Sequence, residues 1–154
     1  AFSYIKMNDF TKAVEYLELM YKLKPDSPFV LKTLSTTYLF QIKNREKGME
    51  WLRKWADTDT KDYEPYKWIG FIYISEKPPK KEQAIEALTK CLQRMEANGV
   101  DKCKEIDVIT WMAQALSFYD TLDKDEEALK WVNRGLQCAP NNETLKNLKE
   151  NLDL

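Results

Sequence analysis

Apolar residues recur every three or four positions along most of the chain. Val14, Leu17, Met20 and Tyr21 form one such run, and Ala84, Ile85, Leu88, Cys91 and Leu92 form another. That spacing gathers them on one side of an α-helix, and the strict alternation of a strand is scarce. Breakers fall between the runs. Pro25-Asp26-Ser27-Pro28 ends one helix and opens the next, with Ser27 as N-cap and Pro28 at the first helical position. Asp62, ahead of Tyr63-Glu64-Pro65, marks another start, and Lys77-Pro78-Pro79-Lys80 separates a further pair. Asn98-Gly99 reads as a helix C-cap, and Asp123 with Glu126 has the form of a capping box. Pro140-Asn141-Asn142 breaks the chain before a last stretch that carries Leu145, Leu148 and Leu152 on one face. The pattern predicts an all-α chain of about eight helices with short connections.

The helices contain an internal repeat. Tyr4, Tyr38, Tyr73 and Phe118 each stand late in the first helix of a pair, with a small residue three positions earlier: Ala1, Ser35, Gly70 and Ala115. Further on comes a second small residue, Ala13, Gly48, Ala84 and Ala128, followed four positions later by Leu17, Leu52, Leu88 and Val132. Pro25 and Pro140 close the first and last units of this pattern. Small residues are needed where two antiparallel helices cross closely, aromatics fill the space beside them, and proline stops the second helix. Gly70 and Ala84 are expected at one such crossing.

These positions resemble the tetratricopeptide repeat, whose pattern is W-x2-L-G-x2-Y followed by Ala and Pro over about 34 residues. Tyr66 to Tyr73 carries Ile69-Gly70 and Tyr73 in place, Asp9 to Ala13 matches the start of a second helix, and Trp111, Ala115 and Phe118 repeat the theme. Departures are Gln114 where Leu is usual, Thr60 for a proline, and about ten extra residues between Ala97 and Asp107. The resemblance implies a right-handed superhelical solenoid of antiparallel helix pairs. Residues 1–27 would be a partial repeat, 28–62, 63–107 and 108–142 full repeats, and 143–154 a capping helix that buries one face and solvates the other. In that register Ala1 already lies inside a helix, so the parent protein is expected to continue upstream.

Composition removes several kinds of chemistry. Of 154 residues 44% are hydrophobic and 32% charged, which is the balance of a folded chain. A net charge of −1 gives no bulk footprint for nucleic acid. Histidine is absent, so imidazole-dependent triads and zinc sites are excluded, and four glycines leave no phosphate-cradling loop. Carboxylate pairs such as Asp57-Asp59 and Glu126-Glu127 lack any sign of a desolvated pocket. No enzyme activity, metal or cofactor is expected. The longest apolar stretch, Ile69 to Ile74, is far short of a membrane span. Cys91, Cys103 and Cys138 are odd in number and lack CxxC spacing, so they read as free thiols; cytoplasm is favoured, with the periplasm left open.

The resemblance also implies that first helices line a concave face that binds protein segments without catalysis. Its groove positions here are Phe29, Lys32, Thr36 and Phe40, then Glu64, Lys67, Phe71 and Ile74, then Met112, Leu116 and Tyr119. The charges nearly cancel and the rest is apolar, which suits an apolar or amphipathic partner segment, although stripes of this kind also serve as core. The positions that grip a C-terminal carboxylate in chaperone-binding members hold Thr33, Glu64 and Trp68, which supply no such clamp. The leading expectation is a non-catalytic scaffold or adaptor for a protein or peptide partner. The alternative is a regulatory or oligomerisation segment of a larger enzyme, sensor or secretion and assembly protein, with self-association through the open N-terminal end as a further option.

Overall fold

A computed structural model describes the backbone of residues 2–152 and the side chains of residues 9–152. The described residues are helical in sequence order: α1 (Phe2–Leu23), α2 (Pro28–Thr36) continued by a π turn (Thr37–Gln41), α3 (Arg45–Thr58), α4 (Glu64–Ile74), α5 (Lys81–Ala97), a 3-10 turn (Lys102–Glu105), α6 (Ile106–Ser117), α7 (Leu122–Cys138) and α8 (Glu143–Asn151). The chain divides into two compact units, Ala1–Pro65 and Tyr66–Leu154.

Most helix ends follow the local chemistry of the sequence. Ser27 Oγ accepts from the Val30 N–H at 3.5 Å with Pro28 at the helix start, and Asn44 caps α3 through the Lys47 N–H. Asp62 Oδ1 accepts from the Glu64 N–H at 2.9 Å, and Asn142 Oδ1 from the Leu145 N–H at 3.0 Å. Gly99 takes φ +67 after α5, while the Val100 N–H returns to the Met95 carbonyl. This left-handed position is where glycine avoids a Cβ clash. The capping box at Asp123 does not form. Thr121 is the N-cap of α7, and Asp123 lies in the first turn. There the Thr121 hydroxyl donates to the Asp123 carboxylate, which is held below its ordinary pKa, with backbone N–H groups and Lys124 adding to the effect.

In the first unit α1, α2 and α3 pack together with the π turn. Val14 and Leu17 are buried on α1, Leu31 and Leu34 on α2, and Leu52 and Trp55 on α3. A Cβ built on Gly48 of α3 would collide with the Leu39 side chain of the π turn. Tyr21 meets Trp51 edge-on with ring centroids 4.9 Å apart. The Tyr38 hydroxyl, on the π turn, donates to Glu18 Oε1 of α1 at 2.7 Å.

The second unit repeats this contact. A Cβ on Gly70 of α4 would lie 2.6 Å from Leu88 Cδ2 of α5 and 3.6 Å from the Ala84 carbonyl oxygen, so Gly70 and Ala84 do share a crossing. A Cβ on Gly135 of α7 would lie 2.6 Å from Leu145 of α8 and 3.2 Å from Ile109 of α6. Ile74, Ala84 and Ala115 form a buried cluster that joins α4, α5 and α6. Leu145 and Leu152 bury one face of the final helical segment.

Two expectations need correction. First, α1 runs unbroken from Phe2 to Leu23, where the repeat register placed a helix end and a new helix. No proline or glycine interrupts that stretch. Ala13 is consequently exposed rather than set into a crossing, and Ala1 lies outside the described residues. The other six small positions, Ser35, Gly48, Gly70, Ala84, Ala115 and Ala128, are buried. Second, Cys103 and Cys138 form a disulfide, with Cα atoms 5.4 Å apart, and Cys91 is the buried free thiol. The bridge ties the segment before α6 to the end of α7. Closing a loop of 35 residues stabilises the fold by about 3–4 kcal/mol through unfolded-state entropy. Cysteine usage therefore no longer favours a reducing compartment.

Gly70→Leu should overpack the α4–α5 crossing and cost about 1–3 kcal/mol or more, read as a lower denaturation midpoint. An unchanged midpoint would contradict the crossing. A second outcome concerns alkaline pH. Burial first, then the bond to Glu18 and the charges of Glu18 and Glu15, push the Tyr38 phenol up to about 12. The fold thus favours the protonated phenol, and its contribution of about 2–3 kcal/mol is full below pH 10 and lost as pH rises from 10 towards 12. Tyr38→Phe should flatten that part of the stability–pH curve.

Candidate functional site

The first unit places its expected groove residues along α2 and the π turn. Phe29 is 69% exposed and Phe40 is 43% exposed, eleven residues or about three turns apart, which returns them to the same side of the helix. Between them Thr36 is half-buried, its hydroxyl donating to the Lys32 carbonyl at 3.0 Å. Lys32 donates from Nζ to Glu64 Oε2 at 3.1 Å, linking α2 to the start of α4. Asp62 adds a second acid beside this pair. Burial raises its pKa, the Glu64 N–H pulls it back down, Glu64 and Asp59 raise it, and Lys32 lowers it. The lysine expected to meet a partner is thus already engaged by the chain's own carboxylates.

In the second unit the expected residues divide. Met112 and Leu116 of α6 and Ile74 of α4 are buried, so these three are core rather than open surface. Met112 and Leu116 lie on α6, which packs against both α5 and α7, and Ile74 packs with Ala84 and Ala115. Phe71 remains half-buried, with Trp111 tilted against it at 5.0 Å and Trp68 edge-on at 6.2 Å. Lys67 donates to Glu105 Oε2 at 2.7 Å, and both side chains are largely buried, at 14% and 18% exposure. The Lys67 ammonium also lies 5.0 Å from the Trp68 ring centroid. Tyr119 is half-buried, with Lys81 4.6 Å and Lys124 5.5 Å from its ring.

Trp68 was already a groove position of the expected register, whereas residue spacing alone missed Trp111, Glu105, Lys81 and Lys124 as neighbours of the expected site. Trp68 stands three residues before Phe71, which is a helical neighbour relation and was legible. Glu105 comes from the inserted segment, which the repeat pattern does not place. Among the described residues no group of three or more acidic or cysteine side chains is arranged to hold a metal ion. No described helix is long and apolar enough to cross a membrane.

The two ion pairs should differ in worth. Glu105→Gln removes the carboxylate paired with a mostly buried lysine and should cost about 1–3 kcal/mol. Glu64→Gln loosens an exposed pair and should cost about 0–1 kcal/mol. Chemical denaturation of the two variants checks the order, and equal losses would contradict it.

The comparisons with known proteins bear on the fold. Residues 1–27 match the sequence model of a tetratricopeptide repeat. No curated protein matches the chain in sequence. Among solved structures, the crystal structure of MamA protein is 20% identical, covers 93% of this chain and 73% of its own, and has a TM-score of 0.69. The N-terminal domain of stress-induced protein-1 (STI-1) from C. elegans is also 20% identical, covers 84% of this chain and 96% of its own, and has a TM-score of 0.68. One repeat matched in sequence at residues 1–27, and helix pairs matched in fold over most of the chain, make the architecture that of the tetratricopeptide-repeat proteins.

Proposed function

We propose that the chain is a non-catalytic protein-interaction module that docks an apolar or amphipathic segment of a partner protein. The observation that carries this reading is the pair of exposed aromatics in the first unit, Phe29 on α2 and Phe40 on the π turn that continues it, with the intervening Lys32 already paired to Glu64. The exposed part of such aromatic rings gains by burial against a partner, at roughly 25 cal/mol per Å² before the costs of association. In the second unit, taken by itself, Phe71 and Tyr119 are the expected aromatic groove residues that keep part of their surface exposed. The absence of histidine and the engagement of Lys32 and Lys67 by carboxylates both count against catalysis and against an acidic-tail ligand.

The test is selection of binders from a displayed random peptide library, followed by titration against wild-type chain, Phe29→Ala and Phe40→Ala. Selected peptides should carry apolar residues at regular spacing. Each substitution should weaken them about 5- to 100-fold with thermal stability unchanged, the range for truncating a central aromatic contact. Binders defined by acidic C-terminal tails, or affinities indifferent to both substitutions, would overturn the reading.

A further inference from the structure

The inserted segment between α5 and α6 is tied to the second unit at two nearby residues. Cys103, in the 3-10 turn, is bonded to Cys138, the last residue of α7. Glu105, at the end of the same turn, accepts from Lys67 Nζ of α4 at 2.7 Å. Hydrogen bonds through Asp101 close the turn only on itself: its Oδ1 accepts from the Cys103 N–H and its carbonyl from the Lys104 N–H. A short 3-10 turn has poor internal hydrogen-bond geometry and leans on such outside ties. The disulfide is also reachable. Cys103 is exposed and Cys138 half-buried, and exposed disulfides are the labile, exchanging class. Lys102 and Lys104 stand on either side of Cys103, and their charge draws an anionic thiolate to the sulfur. The packing beneath does not need the bond. Ile109, Ala113 and Leu116 of α6 and Ala128 and Val132 of α7 are buried, and Gly135 lets α7 approach Ile109 closely.

We propose that the Cys103–Cys138 disulfide is a reversible redox latch: closed, it holds the inserted segment so that Glu105 covers Lys67; opened by a dithiol reductant, it frees that segment and exposes the Lys67 ammonium. In the opening step one thiolate of the reductant attacks the exposed Cys103 sulfur. The Cys103–Cys138 bond breaks, and Cys138 leaves as a thiolate that takes up a proton. The second thiolate of the reductant then displaces Cys103 from the mixed disulfide. In total two electrons and two protons pass to the two cysteines, and the dithiol becomes its own disulfide. Closing runs the same exchange backwards against a disulfide oxidant. The effect on Lys67 follows from chain connectivity. Glu105 and Cys103 belong to one turn, so a turn that unwinds carries the carboxylate with it. Lys67 and Glu105 are both largely buried, with the Trp68 ring centroid 5.0 Å from the ammonium. An ammonium in such a place is driven towards water once its carboxylate leaves.

The latch works within the second unit and is separate from the peptide contact on α2, so its test reads a different quantity. The whole chain is treated with a dithiol under native conditions, and its free thiols are alkylated and located by mass spectrometry. Cys103 and Cys138 should become alkylated while Cys91, fully buried on α5, stays protected and so reports that the fold is intact. Acylation of lysine amines, mapped in the same way, should run at least about fivefold faster at Lys67 in the reduced chain than in the oxidised one. Lys90, exposed on α5, should react equally in both and serves as the reference. Reoxidation should restore the slow rate. The double variant Cys103→Ser with Cys138→Ser should react fast at Lys67 in either redox state, and Glu105→Gln should do so with the disulfide closed. A disulfide that yields only together with Cys91, or not at all, is a structural staple and overturns the proposal. A reduced chain in which Lys67 reacts as slowly as before overturns it as well.

Discussion

A leucine side chain lying in the notch left by a glycine is the contact on which the helix pairs depend. Leu39 lies over Gly48, Leu88 over Gly70 and Leu145 over Gly135. At each site a Cβ would occupy space that the leucine now holds. Interiors at this density accept neither a void nor an added methyl group without rearrangement. The glycine therefore sets how closely the two helices approach, and that separation decides which neighbouring side chains are buried. Leu52, Leu88 and Val132, four residues beyond the second small position of their repeats, are fully buried in consequence.

That constraint explains which parts of the fold could be read from the sequence. Helices, most caps and six small crossing positions are local or periodic, and residue spacing carries them directly. The start of α7 lies two residues earlier than Asp123 because Thr121 and Asp123 are both competent caps, and the choice between them lies in backbone geometry. The continuity of α1 escaped the register because a repeat pattern says where residues recur, whereas an uninterrupted run of helix formers has no reason to turn. The disulfide had a signal that went unused. Cys103 and Cys138 each stand four residues before the end of an expected repeat, at 107 and 142, and are separated by 35 residues. Equivalent positions in adjacent repeats are neighbours in space, which counts for more than the parity of the cysteine count.

The candidate surface was legible in its residue types and less so in its exposure. One apolar stripe on a helix can face a partner or the protein's own interior, and spacing is the same in both cases. Phe29 and Phe40 face out, while Met112, Leu116 and Ile74 face in. The difference lies in which side of the helix its neighbours cover: α2 contacts α1 and α3, and α6 contacts α5 and α7, yet Phe29 stays 69% exposed while Met112 and Leu116 are buried. Charge was harder still, because Lys67 is engaged by Glu105 from an insertion that no repeat pattern anticipates.

Burial distinguishes the two sides of α1. Its inner side, through Val14, Leu17 and Tyr21, is committed to the first unit's core. Its other side carries Tyr16, Leu19 and Leu23, which are exposed among the described residues. Apolar residues thus recur at three- and four-residue spacing on both sides of this one helix, and only burial tells which of the two stripes packs against α2 and the π turn.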